Sequence, residues 1–208
     1  MLKRYGIGLS KEALLAALTN PKAEVRGLVA QKLAIDKDKD AIPFILNAIS
    51  VENSNINRVH MALDLAELGD RKGVDLLENA CSDQNTPGNL RVLAAQDMLQ
   101  LGNKECLADV LALAKSDTEE GNRQVALSLL PQYFSEAKGT PEEVLNLICG
   151  SLIDGSAMVR LEAVVVLGEL GNSQQVAALE DALTKEPEQD LRIQMAQTLG
   201  KLKSKPRK

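Results

Sequence analysis

A chain of 208 residues with 45% apolar residues is long enough for one sizeable domain or two small ones. Only 2% of the residues are aromatic and none is tryptophan, so packed helices are expected rather than a β-sandwich, which favours aromatic and β-branched residues. The net charge is −5, and because the last eight residues contribute +5, the rest of the chain carries −10, a charge that opposes binding to phosphate backbones.

Three cysteines, Cys81, Cys106 and Cys149, lie in apolar stretches of the chain, where buried thiols are common. Because their number is odd and no C-x-x-C pair occurs, the sequence predicts neither a disulfide framework nor a zinc site, and it favours a reducing compartment. No apolar run approaches the roughly 18 residues that suggest a membrane span, and the N-terminus "MLKRYGIGLSKE" lacks the apolar centre of a signal peptide. We therefore expect a cytoplasmic protein with no membrane segment.

One helical pattern is repeated six times along the chain. We expect residues 1–9 to form an N-terminal arm, residues 10–203 to form the repeats, and residues 204–208 to form a basic tail. In each repeat a short apolar helix, starting near residues 10, 41, 72, 104, 141 and 173, precedes a helix that contains an arginine. The arginines, spaced by 32 to 37 residues, are Arg26, Arg58, Arg91, Arg123, Arg160 and Arg192.

Small and apolar residues recur on one face of each arginine-bearing helix. An alanine follows the arginine by three or four positions, and an apolar residue follows it by seven. These positions share one helical face, where small residues allow a neighbouring helix to approach closely. Since neither helix of a hairpin can bury its apolar stripe alone, the sequence predicts an all-α solenoid of six stacked helical hairpins, with about twelve helices.

A residue with a side-chain oxygen precedes each arginine by six positions, in the turn between the two helices. A planar guanidinium has five donors and can bridge the acceptors of adjacent turns. We therefore predict a structural ladder rather than a row of arginines that binds an anionic ligand. The predicted acceptors are Asn20, Glu52, Asn85, Asp117, Asp154 and Glu186.

The fourth repeat departs from the pattern. Pro131, Tyr133 and Phe134 occupy the end of its second helix, and five extra residues follow before the rhythm resumes. Proline removes a backbone donor, so we expect the stack of helices to bend there. The two rings could anchor a partner, or they could fill the gap that a kinked helix leaves.

The pattern of this chain resembles the HEAT repeat, in the short form found in bacterial chains and in phycobilin lyases. In this pattern an acceptor is followed by five residues, then by an arginine, and then by a helix of small residues that ends in Leu-Gly. The stretch "MVRLEAVVVLGELGN" at 158–172 shows the helix and its end. The resemblance extends over about residues 10–203, and it implies that the second helices line the concave side of a superhelix. One branch of the family, similar to deoxyhypusine hydroxylases, holds iron with several His-Glu pairs, whereas this sequence has a single histidine, His60. Another branch, similar to DNA glycosylases, uses tryptophans and a basic concave face, and neither is present in this sequence.

The sequence contains no phosphate-binding glycine loop and no nucleophile elbow. We therefore predict that the protein is not an enzyme and needs no cofactor or metal. The alternative, implied by the resemblance, is a chromophore lyase or a chaperone subunit similar to phycobilin lyases. Few rings are available to stack on a tetrapyrrole, although the three cysteines could serve as bilin carriers.

Helical geometry indicates where a partner would bind. If the positions above face the core, the residues two, five and nine after each arginine face the concave solvent side. Exposed aliphatic side chains, many glutamines and few charges suggest a protein-binding groove, whereas a rotated helical wheel would place the same residues in the core between repeats. These residues are Leu28, Gln31, Ile35, His60, Leu63, Glu67, Leu93, Gln96, Gln100, Val125, Ser128, Gln132, Glu162, Val165, Glu169, Gln194, Gln197 and Lys201.

The sequence thus predicts a monomeric, non-catalytic scaffold or adaptor that binds a protein or peptide, and neither nucleic acid nor membrane. We expect the contacts in repeats two to four, where both walls of the groove are complete. The predicted contact residues are Leu63, Leu93, Gln96, Val125, Gln132, Tyr133 and Phe134.

Overall fold

The computed structural model describes residues 1–134 and 139–205, and over these ranges it contains twelve α-helices, three short 3-10 helices and no β-strand. This confirms the predicted all-α class and the number of helices. Residues 135–138 of the irregular fourth repeat and residues 206–208 of the basic tail lie outside the described residues. Among the helices of the described chain, none is long and apolar enough to cross a membrane.

The helices form six hairpins in two compact units, which we call unit 1 (Met1–Cys106) and unit 2 (Leu107–Lys208). Unit 1 contains α1 (Lys11–Ala17), α2 (Ala23–Ile35), α3 (Ile42–Val51), α4 (Asn55–Glu67), α5 (Arg71–Ser82) and α6 (Gly88–Gln100). Unit 2 contains α7 (Leu107–Ser116), α8 (Glu120–Tyr133), α9 (Glu142–Ser151), α10 (Ala157–Leu170), α11 (Val176–Lys185) and α12 (Gln189–Ser204). The odd-numbered first helix of each hairpin is shorter than the even-numbered second helix.

Within each unit the second helices pack on one another, α2 on α4 and α4 on α6 in unit 1, and α8 on α10 and α10 on α12 in unit 2. The residues seven positions after the arginines supply the core of this packing, and Leu65, Met98 and Leu167 are fully buried. The alanines between them are buried in the first five hairpins, while Ala196 in the last hairpin is exposed. The predicted helical face is therefore the packed face.

The second helices of unit 1 end in the same way. Lys37, Gly69 and Gly102 adopt left-handed backbone conformations, with φ of 56°, 89° and 74°. In each case the N–H of the following residue donates to the carbonyl five residues earlier, for example Asp70 to Leu65 at 3.0 Å. This is the hydrogen bond of a Schellman motif, which satisfies a carbonyl that the helix leaves free.

Gly73 shows how closely the hairpins approach. A Cβ atom on this residue of α5 would lie 2.4 Å from the backbone nitrogen of Ala66 and 2.5 Å from the carbonyl oxygen of Ala62, both in α4. Because real Cβ atoms essentially never come so near to backbone atoms, any larger residue would push α5 away from α4. The contact fixes the position of the third hairpin against the second.

Both predicted terminal segments are partly packed. The predicted N-terminal arm contains a 3-10 helix, Leu2–Tyr5, whose Leu2 is buried in the core of unit 1. At the other end α12 continues through Ser204, and Lys205 Nζ donates to the carbonyls of Gly168 and Gly171 at 2.8 and 3.1 Å. A cation at these carbonyls is favourable, since they lie at the C-terminal end of α10.

Candidate functional site

The arginines of the second helices close the turns of their own hairpins. In four hairpins Nη1 donates to the carbonyl six residues earlier, at 2.7 to 3.0 Å, and to the next carbonyl as well. These turn carbonyls follow the end of the first helix and have no helical partner, so the guanidinium satisfies them. The four residues are Arg26, Arg123, Arg160 and Arg192.

Three of these arginines also bind the acid of the next hairpin in a bidentate manner, through Nε and Nη2. The pairs are Arg26 with Glu52 at 2.8 and 2.5 Å, Arg123 with Asp154 at 2.8 and 2.7 Å, and Arg160 with Glu186 at 2.7 and 2.8 Å. Two parallel charge-assisted hydrogen bonds of this kind fix both the distance and the orientation of the side chains. The arginine therefore bonds to the backbone of its own turn and to the side chain of the next.

The carboxylates of the ladder are held in the charged form. The Arg26 guanidinium lowers the pKa of Glu52 to about 2, and Arg123 likewise lowers the pKa of Asp154. Each carboxylate also accepts the backbone N–H two residues later, as Glu52 does from Ser54 at 2.9 Å. Each paired arginine thus has Nε, Nη1 and Nη2 hydrogen-bonded within the fold.

The third hairpin departs from the predicted ladder. Arg91 is buried and donates to the carbonyl of Cys81 at 2.9 Å and to Gln84 Oε1 at 3.1 Å, so its charge lies at the C-terminal end of α5. The prediction of Asn85 as an acceptor is wrong, because Asp83 caps this turn by accepting the N–H of Asn85 at 2.9 Å. The arginine of this hairpin follows its turn acceptor by eight residues instead of six.

Arg58 of the second hairpin, and the predicted acceptors of the first and fourth hairpins, do not form the arginine–carboxylate pairs described above. Arg58 is exposed, and its Nη2 donates to Asn55 Oδ1 in the first turn of its own helix. Asn20 and Asp117 accept the backbone N–H of the residue two positions later, each at 2.9 Å. Apart from Arg58 and Asn85, the predicted ladder residues bond in the turns as expected, although not all of them form ion pairs.

We call the residues two, five and nine positions after the arginines the second-helix face of each unit. All eighteen are exposed or half-buried. In unit 1, Ile35 is 66% exposed while Leu63 and Leu93 are half-buried, and in unit 2, Val125 and Val165 are 38% and 45% exposed. The alternative of a rotated helical wheel would bury these side chains, which the structure does not do.

The predicted contact residues are distributed over both units. Leu63, Leu93 and Gln96 lie on the second-helix face of unit 1, with Gln96 exposed. Val125 and Gln132 lie on that of unit 2, and both are exposed.

Tyr133 is wrong as a predicted contact. Its side chain is buried, and this burial raises the pKa of its hydroxyl to about 12. Phe134, the residue that ends α8, is half-buried. Helix α8 continues past Pro131 to Tyr133, whose side chain is buried. That Tyr133 fills a gap left by a kinked helix stays a prediction.

A groove beside α3 of unit 1, with apolar and polar lining residues, is missing from the sequence interpretation. Phe44 and Val51 of α3 are 48% and 68% exposed, and they line a groove of about 240 Å³ together with Leu15 and Leu18. The two exposed residues are seven positions apart and share one helical face. That seven-residue spacing is the sequence signal for this exposed face of α3.

The cysteine prediction is wrong for one pair. Cys81, at the end of α5, and Cys106, just before α7, form a disulfide within unit 1 that links positions 25 residues apart. Cys149 is free and half-buried, and its burial raises the pKa of the thiol to about 11. Spacing along the sequence could not reveal the pair, because only the folding of α6 between them brings the two residues together.

Two buried carboxyl groups were also not predicted. Asp64 in α4 and Asp97 in α6 are 5% and 3% exposed, and among the described residues no donor reaches the buried Oδ2 atom of either. Burial first, and then the negative charge of Glu67, raise the pKa of each carboxyl group to about 7. In the part of the chain that the structure describes, no group of three or more His, Cys, Asp or Glu side chains could hold a metal ion.

Comparisons with known proteins agree with this architecture. Residues 159–185, which extend from α10 into α11, match the family model described as PBS lyase HEAT-like repeat. An engineered protein superimposes with a TM-score of 0.53 at 17% identity, over 93% of this chain and 96% of that chain. The complex of CpcE and CpcF of phycocyanin lyase from Nostoc sp. PCC7120 superimposes with a TM-score of 0.51 at 18% identity, over 94% of this chain and 95% of that chain. No curated protein sequence matches the chain.

The family match and the two structures show a HEAT-repeat fold similar to that of phycobilin lyase subunits. The resemblance predicted from the arginine and Leu-Gly pattern is thereby confirmed.

Proposed function

We propose that the protein is a non-catalytic interaction module that binds a partner protein or peptide on the second-helix face. The observation that carries this proposal is the row of unburied aliphatic and glutamine side chains on that face in both units. The ladder arginines other than Arg58 bond to groups in the turns, so they do not compete for this role. The solvent-facing side chains of packed helices normally include more charged residues than this face has. Exposed aliphatic side chains at such positions are typical of protein-binding surfaces.

The chemistry of the face favours an amphipathic partner. Half-buried leucines such as Leu63 and Leu93 provide an apolar floor, while Gln96 can donate and accept hydrogen bonds at its edge. A partner segment that buries apolar side chains against such a floor gains roughly 25 cal/mol for each Å² of apolar surface removed from water. The similar fold in the CpcE and CpcF complex, whose two named proteins associate, is consistent with a role in protein association.

Site-specific photo-crosslinking tests this proposal. A photoreactive residue at Gln96 on the second-helix face is compared with one at Asn47, which lines the groove around Phe44 in the same unit. In extracts of the source organism we expect one defined adduct from the Gln96 variant and none from the Asn47 variant. Mass spectrometry of the adduct identifies the partner. An adduct from Asn47 and none from Gln96 would move the binding surface to the first helices and overturn the proposal.

A second candidate is action as a subunit of a chromophore lyase, which the match to the PBS lyase repeat and the similar CpcE and CpcF fold favour. The cysteines are poor bilin carriers in this structure, since two are joined in a disulfide and the pKa of Cys149 is raised to about 11. A lyase role would therefore consist of promoting bilin transfer to another protein. Incubation of the purified chain with apo-phycocyanin and free bilin tests it, because covalent attachment produces a coloured band under denaturing conditions.

A further inference from the structure

The two buried acids of unit 1 occupy the same place in consecutive repeats. Asp64 follows Arg58 by six positions, and Asp97 follows Arg91 by six. In the hairpins of unit 2 this position is held by Leu129, Val166 and Thr198, which are also buried. The fold therefore accepts an apolar side chain or a hydroxyl here, and packing alone does not require a carboxyl group.

Burial of these carboxyl groups is unfavourable for the fold. A buried ionised carboxylate without a donor loses its hydration and gains nothing in return. Neither buried Oδ2 atom has a hydrogen-bond partner among the described residues, and Glu67 adds a negative charge nearby. A cation from outside the folded chain would compensate the charge of an ionised carboxylate at this position.

Asp64 also lines an open groove. The groove, of about 290 Å³, lies between α2 and α4 on the second-helix face, and Leu28, Leu63, His60 and Glu24 line it with Asp64. No lysine or arginine is among the described residues that line it. Its walls are thus partly apolar and its charge is negative.

No positively charged group is among those that act on the pKa of Asp64. Lys32 of α2 pairs with Asp36 on its own helix, and Arg71 of α5 pairs with Asp75 at the surface. Helix α3 contains no charged residue. The groups that act on Asp64 are Glu67 of α4 and Asp97 of α6, both negative when ionised.

We propose that the groove between α2 and α4 receives a lysine or arginine side chain of the partner, with Asp64 as its counter-ion. The methylene groups of such a side chain would pack on Leu28 and Leu63, while its charged head reaches the acid at the groove floor. The inference rests on the proposed function, since it specifies the chemistry of the partner that binds to the second-helix face.

Binding should depend on pH because a cation binds the ionised form of Asp64. The pKa of Asp64 is raised to about 7, so a cationic ligand releases a proton as it binds. Affinity is expected to rise roughly tenfold from pH 6 to pH 8, in proportion to the ionised fraction.

The test uses the full chain and two short peptides, acetyl-Leu-Arg-Leu-amide and its isosteric neutral analogue with citrulline in place of arginine. In titrations followed by ¹⁵N NMR at pH 8, the arginine peptide should shift the signals of Gln31, His60 and Leu63. The protein should bind the arginine peptide at least tenfold more tightly than the citrulline peptide. Asp64→Asn should remove this preference and the pH dependence. Asp97→Asn, a matched change outside the groove lining, should retain the preference.

Equal binding of the two peptides, or an unchanged preference in Asp64→Asn, would overturn the inference. The NMR spectrum of each variant reports its folding in the same experiment. If a partner cross-links at Gln96 but the groove does not discriminate arginine from citrulline, the proposed function stands and only this inference fails.

Discussion

Arg160 and Glu186 are 26 residues apart in the sequence, yet Nε and Nη2 of the arginine contact the two carboxylate oxygens of the glutamate at 2.7 and 2.8 Å. The side chains are only 11% and 1% exposed, so the pair is largely removed from water. The same arginine binds the turn carbonyls of its own hairpin. One side chain therefore connects the fifth hairpin to the sixth.

Removal of this arginine should destabilise unit 2. Arg160→Ala leaves the buried carboxylate of Glu186 without its counter-ion, so we expect the free energy of unfolding to fall by about 2–4 kcal/mol. Arg192→Ala is the matched control, because Arg192 donates to turn carbonyls of the same unit but lies in the last hairpin, and its loss should cost about 1 kcal/mol. Urea denaturation followed by circular dichroism measures both, and equal losses would contradict the role of the ion pair.

A second comparison separates buried from exposed arginines in unit 1. Arg91→Ala should cost about 1–3 kcal/mol, since it leaves the carbonyl of Cys81 unsatisfied in the interior. Arg58→Ala should change stability by less than about 0.5 kcal/mol, because Arg58 is exposed and its hydrogen bond to a described residue lies within its own helix. Thermal unfolding midpoints provide the comparison, and a drop for Arg58→Ala as large as that for Arg91→Ala would refute it.

The buried acids should make unit 1 less stable at higher pH. Between about pH 4 and pH 7 the folded state keeps protons on Asp64 and Asp97 that the unfolded state has released, so the free energy of unfolding falls as the pH rises. Glu52 gives the opposite slope at lower pH, where stability is lost as the pH falls from 4.5 towards 2.

Asp64→Asn should therefore be more stable than the parent at pH 8, by about 1–3 kcal/mol, and similar to it at pH 4. Urea titrations at pH 4, 6 and 8 check this expectation. A parent protein whose stability rises steadily from pH 4 to pH 8 would show that the two carboxyl groups are ionised at no cost.

The disulfide should contribute to the stability of unit 1. A bridge between Cys81 and Cys106 closes a loop of 25 residues, and its removal is expected to cost about 2–4 kcal/mol. Reductant should lower the melting temperature of the parent but not that of Cys81→Ser/Cys106→Ser. Titration of the denatured, unreduced protein should detect only the thiol of Cys149, and three thiols per chain would show that the bridge does not form.

Periodicity along the chain predicts the fold well because it depends on local geometry. The spacing of apolar residues after each arginine selects the buried face of a helix, and residues such as Leu65 and Leu167 are buried as expected. The positions of the second-helix face follow from the same helical spacing. These features need only a regular helix and a regular repeat.

The errors occur where the repeat is irregular or where contacts are long-range. In the third hairpin the turn acceptor is Asp83, eight residues before Arg91, and not Asn85. A prediction that places every acceptor six residues before its arginine could not detect this difference. The disulfide depends on how α6 folds back between its two cysteines. The burial of Asp64 was unpredictable from composition, since aspartate at one position of a helical face is usually solvated.

The proposed partner-binding role is tested most directly by two substitutions on the second-helix face, Leu93→Ser and Val125→Ser. Each should weaken binding of the partner identified by crosslinking by about 1–3 kcal/mol, while the melting temperature of the protein changes little, because these side chains are not part of the buried core. Isothermal titration calorimetry and thermal unfolding are measured on the same samples. Unchanged affinity together with a loss of several degrees in melting temperature would show that the two residues stabilise the fold instead, and would contradict the proposed binding face.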